Sequence, residues 1–180
     1  CTDSAKSIDL SAVSEPVNRW IVSEFNKAVA RTTAAVEAYR FNEAADTIYG
    51  FIWNAYCDWY VELIKPQLDS EAGETRATAA TVLEASLRLL HPFMPYLTEE
   101  LNEKIFGSDD MMITAAWPDQ VDLPASDAPA EISFLISLIT DIRHIRSEMN
   151  VPLSAKPVLQ MRGLSDLQAS SINVNKAALL

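Results

Sequence analysis

Only four glycines, two cysteines and two histidines occur in this 180-residue chain. So little glycine leaves no glycine-rich phosphate loop and no Gly-x-Ser-x-Gly nucleophile turn, both of which need closely spaced residues without a Cβ. The cysteines, Cys1 and Cys57, form neither a Cys-x-x-Cys zinc half-site nor a disulfide framework. Cys57, set in an apolar run, reads as a small buried side chain. With His91 and His144 as the two imidazoles, most metal and nucleophile schemes are excluded. Asp141-Ile-Arg-His144 has the carboxylate-x-x-His spacing of bundle metal sites, but such sites need two copies of the motif plus further inward carboxylates. Arg88 stands where the carboxylate partner of His91 would have to be, so no metal site is assigned. No apolar run approaches the ~20 residues of a membrane span, and no signal peptide is visible. A cytoplasmic protein with no membrane partner is expected. The chain opens at Cys1 and stops at Leu180 without a closing signal, and reads as a piece cut from a longer protein.

What is present is apolar and periodic. Hydrophobic residues make up 49% of the chain, which together with the scarce glycine favours a packed helical protein over a disordered one. The spacing predicts a first helix from Glu15-Pro16 to about Tyr39, with Val17, Ile21, Phe25, Ala28, Thr32 and Val36 facing a core. A second helix is expected from Asn42, as its N-cap, to Lys65-Pro66. It is apolar around most of its circumference, with Trp53, Tyr56, Cys57 and Trp59 inside and a narrow Asn54, Asp58, Glu62 stripe outside, so it should occupy the middle of a bundle. A polar loop over 69–74 leads to a third helix, Thr75 to Leu90, with Ala79, Val82, Leu83, Ser86, Leu87 and Leu90 inward. His91-Pro92-Phe93-Met94-Pro95 breaks it. A short fourth helix carries Tyr96, Leu97, Leu101 and Ile105 and ends at Gly107. A proline-bearing acidic linker (108–130) precedes a fifth helix, about Ala130 to Met149, with Ile132, Leu135, Ile136, Ile139, Ile142 and Ile145 or Met149 inward. Pro157 to Met161 reads as a short strand. The fold class is therefore all-α, a bundle of about five helices (16–150), preceded by a linking segment (1–15) and followed by the strand-containing start of another region (151–180).

A net charge of −11 argues at first against a nucleic-acid partner. Its distribution weakens that argument: residues 1–40 are neutral, 41–110 carry −9, 111–131 carry −4 and 132–180 carry +2. Arg19, Lys27 and Arg31 fall eight and four apart on the first helix, with Trp20 beside them. Single-stranded RNA is commonly held by aromatic stacking beside cations. The alternative is a solvated basic stripe with Trp20 in the core, and spacing leaves both open. On the fifth helix Arg143 and Arg146 flank His144. They form a second cationic patch, or simply complement the helix dipole.

Several stretches carry a resemblance to a known family: Arg19-Trp-Ile, Arg40-Phe-Asn-Glu-Ala-Ala45, Cys57-Asp-Trp-Tyr-Val-Glu-Leu-Ile-Lys-Pro66, Leu90-His-Pro-Phe-Met-Pro-Tyr-Leu-Thr-Glu-Glu-Leu101 and Ile142-Arg-His-Ile-Arg-Ser-Glu-Met-Asn-Val-Pro152. Over about residues 16–162 the chain resembles the valyl-tRNA synthetase family of class I aminoacyl-tRNA synthetases, in its anticodon-binding region. Leu153 replaces the second proline of the family's Val-Pro-Pro run. The resemblance implies a parent enzyme that joins valine to its tRNA with ATP and magnesium. The family's His-Ile-Gly-His and Lys-Met-Ser-Lys-Ser signatures are missing, so this piece is expected to be non-catalytic, with no cofactor of its own. Its implied partners are the anticodon stem-loop of valine tRNA and the catalytic domain of the same protein. On the first helix the resemblance points to Trp20 for base stacking and to Arg19, Lys27 and Arg31 for phosphate, with Arg40 and Asn42 at the following corner. Arg143 and Arg146 are left between tRNA contact and bracing of the bundle. Two other readings remain: the corresponding region of an isoleucyl enzyme, and an acidic helical module for protein interaction.

Overall fold

The computed structural model describes residues 8–68, 73–107, 110–152, 155, 158, 160–165, 168–169 and 172. Those residues are all-α, without a strand among them, and the chain divides into two compact units, 1–125 and 126–180.

In the first unit, a 3-10 turn at Leu10–Ala12 buries Leu10, and its cap Asp9 accepts hydrogen bonds from the backbone N (2.9 Å) and Oγ (2.7 Å) of Ser11. Helix α1 follows (Pro16–Glu37), with proline in its first turn where the missing N–H costs nothing. The expected stripe Val17, Ile21, Phe25, Ala28 and Thr32 is buried, and Val36 is half-buried. A second set, Trp20, Val22, Val29 and Ala35, is buried as well. Helix α1 packs on the next two helical segments and on α4 (Gly73–Leu90). It shares the middle of the bundle with the second helix, which packs on both α1 and α4.

Three residues turn the chain out of α1. Tyr39 N donates to Val36 O (3.0 Å) and Arg40 N to Ala35 O (2.8 Å), the paired bonds of a Schellman stop. The next helix starts at Phe41 with Arg40 as N-cap, not Asn42. It runs unbroken through α2 (Phe41–Gly50), a π-helical stretch (Phe51–Tyr60) and α3 (Val61–Leu68). Pro66 lies inside its last turn and does not end it; the proline removes one N–H donor, and the chain stays helical for two more residues.

The π-helical stretch resets which residues face inward. Ala44, Ile48, Phe51, Tyr56, Tyr60 and Ile64 are buried, and the step from Phe51 to Tyr56 is five residues. An i→i+5 pattern adds a residue to the turn and rotates everything after it. Three expectations fail for that reason: Cys57 is exposed, Trp53 is 55% exposed, and Trp59 is half-buried. Asn54, Asp58 and Glu62 are exposed as expected.

Helix α4 begins two residues before its expected start, so Gly73 and Glu74 are helical; residues 69–72 lie outside the described set. It buries Thr75, Thr78, Val82, Ser86, Leu87 and Leu89, while Ala79, Leu83 and Leu90 are half-buried. After the break at 91–94, α5 (Pro95–Leu101) continues into a π-helical turn (Asn102–Phe106) that stops at Gly107, φ 62°, as its sequence predicts. The inward residues here are polar: Thr98, which meets His91 Nδ1 at 2.7 Å, and Asn102, whose amide donates to Asp110 O at 3.0 Å. Tyr96, Leu97 and Ile105 point outward.

Residues 116–125 form a strap without helix or strand. It runs antiparallel to α1 and is pinned there at three points. Trp117 Nε1 donates to Thr33 Oγ1 (2.9 Å), Val121 and Asn26 exchange two hydrogen bonds (2.7 and 2.8 Å), and Arg19 Nη2 donates to Pro124 O. The anchors on α1 are seven residues apart and so lie on one side of it.

The second unit contains α6 (Ala128–Glu148), which buries Ala128, Ile132, Leu135 and Ile139. Ile142 is half-buried, and burial stops there: Ile145 is 58% and Met149 72% exposed, although the apolar spacing continues. Asn150 (φ 49°) ends α6 in a second Schellman stop, Asn150 N to Ser147 O and Val151 N to Arg146 O. The expected strand is not found. Val158, Gln160 and Met161 have no strand geometry, Val158 is 87% exposed, and Pro157 and Leu159 lie outside the described residues.

Candidate nucleic-acid interface

The polar side of α1 is only partly open. Trp20 is 4% exposed, so its indole presents no face to a base and contributes core packing instead. The sequence could not separate these outcomes because α1 buries two sets of residues and Trp20 belongs to the second. Arg19 is half-buried, with Nη1 donating to Val13 O (3.2 Å) and Nη2 to Pro124 O. It fastens two backbone segments of its own unit.

Lys27 and Arg31, one turn apart, are exposed. Lys27 pairs with Glu24 at 2.6 Å, an exposed pair of small energetic weight. Arg40 is exposed at the corner after α1 and pairs with Glu43 at 3.3 Å; Asn42 is exposed beside it. Tyr39 and Phe41 flank Arg40 with their rings 82% and 53% exposed. The strap brings Asp119 and Asp122 alongside α1 and no Lys or Arg between residues 110 and 127. The field over the cationic stripe is therefore weaker than α1 alone would give.

On α6, Arg143 is exposed. Arg146 is half-buried and donates to Pro152 O (3.1 Å) and Ala155 O (3.2 Å), bracing the turn after its own helix. His144 Nδ1 lies 3.7 Å from Glu148 with its side chain 70% exposed. Although Cys57 is exposed, partial desolvation, with Asp58 adding to it, pushes its thiol above the usual range.

Sequence reasoning missed two parts of this surface. One is the strap, whose anchors are single polar side chains with no periodic signature. The other is Tyr39 in a left-handed conformation (φ 59°). The available signal was a helix that stops without glycine or asparagine after its last turn.

Comparison with known proteins covers most of this chain. The family model described as the anticodon-binding domain of tRNA ligase matches residues 18–161. A valine--tRNA ligase of Caulobacter vibrioides is 49% identical over 170 residues, 88% of this chain and 18% of that protein. The valine--tRNA ligase of Rhizobium meliloti is 42% identical over 177 residues, 93% of this chain and again 18% of the relative. That of Granulibacter bethesdensis is 46% identical over 159 residues, 84% and 18%. The chain thus spans about a fifth of the length of these relatives, and the match from α1 through α6 is with one domain of them. It belongs to the family of anticodon-binding domains of tRNA ligases.

Proposed function

We propose that this chain is the part of a valine--tRNA ligase that receives the anticodon stem-loop of valine tRNA. The observation that carries this is the family match over residues 18–161, together with valine--tRNA ligases at 42–49% identity over most of the chain. The parent attaches valine to its tRNA with ATP and magnesium in a catalytic domain that this piece lacks. The piece itself catalyses nothing and works in the cytoplasm. Residues 16–150 act as the binding body, 1–15 as a link to the preceding domain and 151–180 as the start of the next one.

The contact surface runs from Lys27 and Arg31 on α1 to Arg40 and Asn42 at the corner. Burial of Trp20 and the backbone contacts of Arg19 favour leaving both out of it and giving them a structural role. Arg146, occupied by the turn after α6, is read as a brace, and Arg143 as a second contact to tRNA. Acid on the strap and in residues 41–110 makes binding by the isolated piece weak.

The test is binding of valine tRNA against an anticodon-swapped version at a stated salt concentration, with a Lys27→Ala/Arg31→Ala double variant. The swap should weaken binding. The double variant should weaken binding to both RNAs about equally and flatten the salt slope by roughly 0.7 per lost contact. A folded double variant that binds as the parent does removes α1 from the interface. ATP–pyrophosphate exchange with valine above blank would remove the reading of the piece as non-catalytic.

A further inference from the structure

Tyr39 occupies the position just after the C-cap of α1, where the Schellman bonds require a left-handed backbone. That conformation brings a Cβ too close to the following carbonyl, so glycine is the usual occupant. The chain follows this rule elsewhere: Gly107 (φ 62°) ends the α5 segment, and Asn150 (φ 49°), the next most tolerant type, ends α6. A tyrosine at the same kind of stop is a standing cost, and packing does not repay it. The ring is 82% exposed, and its aromatic neighbour is Phe41, edge-on at 88° with centroids 6.3 Å apart and itself 53% exposed. A strained backbone that holds an outward aromatic points to something the aromatic meets outside the unit.

The surroundings select the class of that partner. Arg40 lies between the two rings in sequence and Asn42 comes directly after them, both exposed, and the Arg40–Glu43 pair is open enough to solvent to yield to a phosphate. The other exposed aromatic pair among the described residues, Tyr49 and Trp53 (parallel within 4°, 6.2 Å), has Asp46 and Asp58 near it and no Lys or Arg from residue 41 to 64, whereas the acids beside Tyr39 and Phe41, Glu37 and Glu43, are offset by Arg40, which pairs with Glu43. We infer that Tyr39 is a stacking platform for one unpaired RNA base, with the edge of Phe41 limiting where the base lies and Arg40 meeting an adjoining phosphate. This rests on the RNA-binding reading above and adds a residue to it.

Tyr39→Gly is an unusually clean probe, because it removes the ring and relaxes the backbone together; its melting temperature should equal or exceed the parent's. The ligands are an RNA hairpin with an unpaired loop and a fully paired duplex of the same length, measured at low salt. Tyr39→Gly should bind the hairpin about 5- to 150-fold more weakly, the range for loss of one stacked base. Duplex binding should be unchanged, and Tyr39→Phe should bind the hairpin nearly as the parent does. A Tyr39→Gly protein that binds the hairpin as tightly as the parent, while the Lys27/Arg31 variant loses binding, overturns the platform and leaves the RNA-binding surface standing. Equal losses on hairpin and duplex overturn it too, since stacking acts on the unpaired base. If the parent chain binds no hairpin at all, the platform and the RNA-binding reading both fall.

Discussion

The hydroxyl of Tyr60 donates to Oδ1 of Asn18 at 2.8 Å, joining residues 42 apart in the chain. Both are fully buried. The amide of Asn18 in turn donates to Glu74 Oε1 (2.9 Å) and Thr75 Oγ1 (3.2 Å), so one side chain ties α1, the π-helical stretch and the start of α4. Burial, and after it the neighbouring Tyr56 phenol and Glu74 carboxylate, pushes the Tyr60 phenol far above its usual range and keeps it a donor. Tyr60→Phe leaves the Asn18 oxygen without that donor. It should cost about 1–3 kcal/mol of stability, the range for a buried acceptor left unpaired. Urea unfolding measures it; a loss below about 0.5 kcal/mol would mean that the linkage carries little weight.

Glu74 holds the entry to α1. Its carboxylate accepts from Ser14 N (3.1 Å), Ser14 Oγ (2.7 Å), Glu15 N (3.0 Å) and Asn18 Nδ2. Burial is the largest single influence and would raise its pKa, but the hydrogen bonds from Asn18, Glu15 and Ser14 together outweigh it and hold it below the usual carboxylate range. A folded value below the unfolded one stabilises fully above the unfolded value, about 4.3, and loses that contribution as pH falls through the folded value. Glu74→Gln should therefore cost on the order of 1 kcal/mol at neutral pH, solvent screening keeping it at the low end. It should also flatten the decline in stability below about pH 4.3. Parallel acid-unfolding curves for parent and variant that differ only by a constant offset would refute this.

Thr32 shows where the core is imperfect. It is 0% exposed, and its hydroxyl finds no hydrogen-bond partner among the described residues. Replacing an unpaired buried hydroxyl by a methyl group of similar shape removes a desolvation cost. Thr32→Val should raise stability by up to about 1 kcal/mol in thermal or urea unfolding. A destabilised variant would show that the hydroxyl is paired in solution.

The parts of this fold that could be read from sequence were those governed by one period and one cap. Helices α1 and α6 appear within two residues of their expected ends because their apolar stripes keep to 3.6 residues per turn. Gly107 stops its helix as read, since left-handed backbone and glycine go together. The second helix was harder. Its apolar residues cover most of its surface, so the pattern held no information on which Trp or Tyr faces inward. The π-helical stretch then turned Tyr56 and Tyr60 in, and Trp53 and Cys57 out. At the candidate site, charge types and positions were legible for Lys27, Arg31 and Arg40, all of which reach solvent. Trp20 was not, because a tryptophan beside arginines looks the same in sequence whether it lies over the core or in it. Tyr39 was not either, since its interest lies in a backbone angle that no composition records.

Arg19 has a consequence beyond its own hydrogen bonds. One guanidinium holds the carbonyl of Val13, just before α1, and that of Pro124, at the far end of the strap. The segment leading into α1 and the end of the strap are thus held at neighbouring points. Loss of that one side chain would release both carbonyls together, so the strap and the lead into α1 would loosen as a pair rather than one at a time.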